Sequence, residues 1–279
     1  MKKVVLKKAN PLFLQEVDLE QIPMSAEDYL SRIAMLKKRM EMDGIDAAVV
    51  YGDREHYANI EYLCGYDCRF EEGLLILPRD VTPTLLVGNE GMSYSFVVPY
   101  DVRRVYYRNF SLQGQPRKPE ERLDAILRDA GVAQGMKVGL IGFKYFDAAY
   151  DAPDPLHTFD VPHYMVRALE AAVGNGDVIN YTHALTGLDG GLRLRVYSPK
   201  EIAAAEAAAA RSSNVLIRML KNLKPGMSEY ALSESARVGF APVVMWPLVN
   251  FGAQSVSLGL RSPQEDSRLS LGDVCGLCY

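Results

Sequence analysis

The tightest limit on how this chain folds is a series of short, unbroken apolar runs closed by turn residues. They read DAAVVY at 46–51, GLLILP at 73–78, PTLLVG at 83–88, KVGLIG at 137–142 and VINY at 178–181, with the mixed run VRRVYY at 102–107. Runs of this length without polar alternation suit strands buried on both faces. Helical patterns lie between them. Over 26–42, Leu30, Ile33, Leu36 and Met40 recur at three- and four-residue spacing, which makes one apolar stripe. Ser25 stands as its N-cap, Glu27 and Asp28 occupy the first turn, Lys37, Lys38 and Arg39 come late, and Gly44 supplies a left-handed stop. Shorter helices are predicted at 122–130, closed by Gly131, and at 166–173, before the turn Gly174-Asn175-Gly176-Asp177. Strands alternating with helices define an α/β domain with a largely buried sheet. Arg79-Asp80-Val81 reads as a hairpin connection, and 150–162, with three prolines, as a surface loop.

The pattern changes near 190–198. Ser198-Pro199-Lys200-Glu201 is a capping box with proline at the first helical position. Ile202, Ala205, Ala209, Ser213, Leu216, Leu220 and Leu223 then share one face, until Pro225-Gly226 ends the helix. Ser228 caps a shorter helix to Val238, and β-rich sequence follows at 240–251 and 274–279. The expected division is a domain over 1–195 and a second segment over 196–279.

Composition excludes several classes. With 48% hydrophobic and 24% charged residues, the chain can bury a core, and wholesale disorder is excluded. No apolar run reaches the roughly 18 residues of a membrane span, and 1–13 lacks the apolar stretch of a secretory signal. A net charge of −4 and a pI near 5.7 argue against nucleic acid as a partner. Four cysteines are sparse, as expected in a reducing cytoplasm.

Local motifs commit to no active site. Cys275-Gly-Leu-Cys278 has the spacing of a metal or dithiol motif, but no helix follows it, and Cys64 and Cys68 lie too far away to complete a zinc ribbon. Core thiols are the default. His56, His157, His163 and His183 form no paired-ligand pattern. His56 closes Asp53-Arg54-Glu55-His56 just beyond a strand end, where loops carry function, although a solvated charge cluster accounts for it equally. Glu71-Glu72 beside Arg69 reads as a surface ion pair.

The order of larger features is more informative. A helix running into GIDAAVVYG at 44–52, then NIEYLCGY at 59–66, then GLLILP, resembles the N-terminal domain of the creatinase and Xaa-Pro peptidase family. RVYSPKEI at 195–202 resembles that family's linker, and LKPGMSE at 223–229 resembles the opening of its pita-bread domain. The resemblance implies a creatinase-type N-terminal α/β domain with a mixed sheet and flanking helices, followed by the beginning of a pita-bread α+β domain.

In complete family peptidases, two divalent metals, Mn or Co, sit on two aspartates, a histidine and two glutamates. The first aspartate lies five residues after a Gly-Asp turn, matched here by Gly272-Asp273, and that position is Cys278. The family's Gly-x-Asn motif is matched by Gly252-Ala-Gln254, its substrate-contacting histidine falls near Gly259, and no histidine follows His183. A thiolate in place of a carboxylate shifts preference toward softer metals. The resemblance therefore implies an Xaa-Pro aminopeptidase- or dipeptidase-like hydrolase that is truncated and inactive alone, with no catalytic residue and no cofactor in this chain. The alternatives are a catalytically dead homologue acting by binding or subunit pairing, and a creatinase-like amidinohydrolase relative. Arg54, His56 and Arg69 are the expected substrate-binding residues. The expected partners are a small peptide or small C–N substrate and a second copy of the chain, with no membrane and a cytoplasmic location.

Overall fold

The computed structural model describes residues 22–116, 121–236, 243, 245–259 and 261–279. The first helix, α1 (Ala26–Asp43), begins where its sequence signals place it. The Ser25 hydroxyl accepts from the Asp28 amide, and the Asp28 carboxylate accepts from the Ser25 amide at 2.6 Å. Gly44 ends it at φ 68°, a conformation open to glycine without cost. The apolar stripe is narrower than predicted. Ile33, Leu36 and Met40 are buried but Leu30 is 48% exposed. Arg32 is buried instead, donating to the Tyr62 carbonyl at 3.0 Å with its guanidinium over the Tyr62 ring.

Six strands form one mixed sheet: β1 (Ala47–Gly52), β2 (Gly73–Pro78), β3 (Thr84–Val87), β4 (Arg103–Tyr106), β5 (Lys137–Ile141) and β6 (Asp177–Asn180). Their spatial order is β4-β3-β2-β1-β5-β6. β2 is antiparallel to both its neighbours, β1 and β3, and the other pairings are parallel. The 79–83 connection is thus a hairpin, as its sequence suggests, and β2 runs against the other five strands.

Period-two geometry explains the unbroken apolar runs, because alternate residues of one strand enter two different cores. Ala48, Val50, Leu75 and Leu77 pack with α1 and with α2 (Ala58–Cys64). Ala47, Val49, Leu74 and Ile76 pack on the opposite face with α4 (Leu123–Asp129) and α5 (His163–Val173), which follow the short α3 (Asn89–Tyr94). The edge strand β4 carries Arg103 and Arg104, and charge there discourages further strand pairing. Two elements differ from expectation. α2 has seven residues, too few to show a period, and α5 starts at His163, directly after Pro162, rather than at Val166. After β6 comes α6 (His183–Thr186).

Residues Pro23–Val196 form one compact unit, and Tyr197–Tyr279 belong to a second. In the second, α7 (Pro199–Asn222) is capped by Ser198, whose hydroxyl accepts from the Glu201 amide, while the Glu201 carboxylate accepts from the Tyr197 amide. The buried residues of α7 are Ala210, Asn214, Val215 and Met219. The predicted face is offset from these, with Ile202 57% exposed, because its first half is alanine-rich and offers little apolar surface. Ser228 caps α8 (Glu229–Glu234), and the predicted extension to Val238 falls partly outside the described residues. Among the described residues of the β-rich stretch at 240–251, strand occupies β7 (Leu248–Phe251). Met245 and Trp246 are exposed and outside any strand, and 240–242 and 244 lie outside the described residues. After α9 (Gly252–Leu258), β8 (Cys275–Cys278) pairs antiparallel with β7, in the region where the sequence predicts a strand. Val215, Met219, Leu232, Val249, Phe251 and Leu269 form the core of this unit.

Candidate binding site

One edge of the six-stranded sheet gathers the residues that follow β1, β3 and β4 and those that precede β2. Register fixes this, since Gly52 pairs with Gly73, Gly73 with Val87 and Val87 with Tyr106. Crevices outside the carboxyl ends of parallel strands are where open α/β sheets bind ligands.

After β1, Asp53 organises the turn. Its Oδ1 accepts from the amides of Glu55 at 2.9 Å and His56 at 2.8 Å, and lies 3.1 Å from His56 Nδ1. Burial raises the Asp53 carboxyl, but these hydrogen bonds outweigh it and the net shift is downward. The His56 ring stacks on Phe143 with centroids 3.6 Å apart. Phe143 is held in turn by Asp160, which accepts from the amides of Phe143 and Lys144, each at 2.8 Å. Asn59, in α2, ties this region together by donating to the Gly142 carbonyl and accepting from Arg193.

Before β2, Arg69 pairs with Asp67 at 2.9 Å and lies over the Tyr94 ring, while the Tyr94 hydroxyl donates to Asp67. Glu71 corrects the expected surface ion pair with Arg69: it is 6% exposed. Its Oε2 accepts from the Gly91 amide at 3.0 Å, so it supplies the side-chain cap that Gly88 cannot give α3. Ser111 supplies a second, its hydroxyl accepting from the Asn89 amide at 3.0 Å. Gly88 has no side chain for a steric reason, because a Cβ there would strike the Glu71 carboxylate. Glu72 accepts from the Tyr51 hydroxyl at 3.1 Å.

Two cavities open along this edge. The first, of about 470 Å³, includes Arg54, His56, Phe70, Glu71, Glu72 and Phe110 in its wall. The second, of about 360 Å³, includes Tyr66, Arg69, Phe70, Glu71, Glu90 and Tyr94. The structure thus places Arg54 and His56 in one cavity and Arg69 in the other, with Phe70 and Glu71 common to both. Sequence reasoning missed Phe70, Glu90, Tyr94 and Phe143, which come from separate loops and share no local motif. Gly88 and Gly91, which leave room for the Glu71 carboxylate and the Tyr66 hydroxyl, were the available signal.

The remaining candidates lie elsewhere. Cys64 and Cys68 are buried core thiols, and burial pushes Cys64 up to about 12. Cys275 is half-buried, and Cys278 is exposed opposite Leu248 in the two-stranded pairing. Among the described residues, no group of three or more His, Cys, Asp or Glu side chains is placed to hold a metal ion. The ligand set that the family resemblance implies does not fit what these residues provide.

Comparison with known proteins now identifies the lineage. The family profile of the creatinase/prolidase N-terminal domain matches residues 32–188, over half of the chain, and the chain belongs to that family. The mixed six-stranded sheet with flanking helices is its fold. No curated protein sequence matches the chain. Among solved structures, a prolidase from Thermococcus sibiricus matches 90% of this chain at 17% identity and a TM-score of 0.63. An X-Pro aminopeptidase from Thermotoga maritima matches 88% at 16% identity and 0.60, and a dipeptidase from Mycobacterium ulcerans 91% at 18% identity and 0.59. In each case the match spans 60% of the other protein's length. At such identities the likeness is one of fold. No helix among the described residues is long and apolar enough to cross a membrane.

Proposed function

We propose that this chain belongs to an Xaa-Pro dipeptidase- or aminopeptidase-like hydrolase. It contributes the surface at the carboxyl edge of the six-stranded sheet to a small-peptide site, and it works as a cytoplasmic homodimer. Arg54, His56 and Arg69 contact substrate in this reading. The observation that carries it is the family match over 32–188, which contains all the loops lining that edge. Hydrolysis by a dinuclear centre needs several carboxylates to hold two cations and acidify a bridging water, and the described residues offer no such set. In this reading the chain by itself does not hydrolyse peptides, and the thiol of Cys278 at the position of the family's first metal aspartate supports it.

The test is an assay of the purified chain with an Xaa-Pro dipeptide and Mn²⁺ or Co²⁺. The expected result is saturable dipeptide binding, weakened by Arg69→Ala, without release of free proline. Chelator-sensitive hydrolysis by the chain alone would overturn the incomplete-site reading. A second reading, a catalytically dead binding or pairing module, is favoured by the thiol at Cys278. Protein isolated from its native cells separates the two, since a binding module hydrolyses no Xaa-Pro peptide in that form either.

A further inference from the structure

We propose that the cleft around Glu71 binds an organic cation, a primary ammonium or guanidinium group, held between the Glu71 carboxylate and the ring of Phe70. The inference deepens the reading of this edge as a ligand-facing surface, and rests on it, by naming the chemistry of the ligand.

Glu71 is the first observation. Its Oε2 is satisfied by the Gly91 amide, while Oε1 is buried with no hydrogen-bond partner among the described residues. The capping role accounts for one oxygen and leaves the other, and a buried acceptor without a donor is costly. Gln115 donates through its amide nitrogen to Glu90 at 2.8 Å, and its Oε1 is also buried with no partner among the described residues. The orphaned atom of the Glu71 carboxylate is an acceptor, so the ligand that satisfies it is a donor. An ammonium offers three N–H groups, a guanidinium five, and neither carries an acceptor.

The walls supply the second observation. Phe70 is 68% exposed and borders both cavities together with Glu71, and an aromatic ring and a carboxylate in one cavity wall are the two groups that attract organic cations. The chain already shows this in its own Arg69, whose guanidinium lies 5.7 Å from the Tyr94 centroid. Charge agrees. Arg69 is neutralised by Asp67, which leaves Glu71 and Glu90 to set the sign in the second cavity. In the first, Asp53, Glu55, Glu71 and Glu72 outnumber Arg54 and His56. A cavity of about 360 Å³ lies within the usual size of small-molecule sites.

The test is calorimetric titration of the intact chain with n-butylammonium, n-butylguanidinium and neutral pentanamide. Both cations are expected to bind saturably and more than about tenfold tighter than the amide, the worth of a charge-assisted hydrogen bond. Glu71→Gln should abolish that preference. Because Glu71 also caps α3, Phe70→Ala provides an independent check at an exposed position. It should weaken both cations about threefold to fivefold, the worth of an exposed cation–π contact, with an unchanged circular dichroism spectrum. Equal affinity for pentanamide, or no saturable binding of either cation at millimolar concentration, would overturn the proposal. Charge-selective binding without Xaa-Pro hydrolysis in any form of the protein would uphold the inference while removing the proposed function. Hydrolysis with no preference for cations would do the reverse.

Discussion

His157 Nε2 lies 3.0 Å from Asp177 Oδ1, joining the 150–162 loop to the first residue of β6. The other ring nitrogen is 2.8 Å from Asp154, so both nitrogens face carboxylates and the doubly protonated imidazolium suits the position. Hydrogen bonding to Asp177, then to Asp154, raises the His157 pKa above its ordinary 6.5. A raised folded-state value means the contribution is complete below 6.5 and disappears as pH rises through the folded value. The groups are about half exposed, which limits the effect to about 0.5–1 kcal/mol. His157→Gln should therefore lower the urea midpoint near pH 5 and leave it unchanged near pH 9. An equal loss at both would mean that the imidazole acts through packing alone.

Glu229 anchors the second unit. Fully buried, it accepts from the amides of Phe251 and Gln264, the hydroxyls of Ser255 and Ser267, and the Arg261 guanidinium at 2.7 Å. Burial pushes its carboxyl upward, but these bonds outweigh it and the net shift is downward from 4.5. The stabilisation is thus present above 4.5 and is lost as pH falls through the folded value. Glu229→Ala leaves Arg261 and four donors without their acceptor, and should cost about 3–5 kcal/mol. Amide exchange should show that loss in β7 and α8, with the six-stranded sheet unaffected.

The sheet was legible in the sequence because every strand but the edge strand β4 is largely buried on both faces and so appears as an apolar run. Ser25, Gly44 and Ser198 marked helix ends correctly because caps act through local hydrogen bonds and backbone angles. Burial along α7 was misjudged because alanines fit any face and the choice fell to Val215 and Met219 through packing. The cleft was legible only in part. Arg54, His56 and Arg69 stand out as chemistry beside strand ends, but Glu71 becomes a buried cap only once β2 and α3 are brought together. That contact joins residues twenty positions apart, and periodicity carries no record of it.

Two glycines separate steric from backbone requirements. Gly44 sits at φ 68° with nothing within 4 Å of a built Cβ, whereas Gly88 has an ordinary φ of −79° and a Cβ that would meet the Glu71 carboxylate. Gly44→Ala should cost about 1–2 kcal/mol through left-handed strain alone. Gly88→Ala should cost about 1–3 kcal/mol by displacing Glu71 from the Gly91 amide. Ligand titration distinguishes the mechanisms, because only Gly88→Ala should change binding at the cleft.

Thiol reactivity provides the last check on the second unit. Cys278 is exposed on β8, Cys275 is half-buried with its thiol raised by burial and then by Asp273, and Cys64 and Cys68 are enclosed by the first core. Reaction requires both access and thiolate. Alkylation of the native chain should therefore modify Cys278 first and Cys275 more slowly. Cys64 and Cys68 should react only on unfolding, since burial holds both thiols well above neutral pH. Peptide mapping by mass spectrometry resolves the order. Early modification of Cys64 would show that α2 does not stay closed over β1, and the turn that aligns Asp53 and His56 would lose its support.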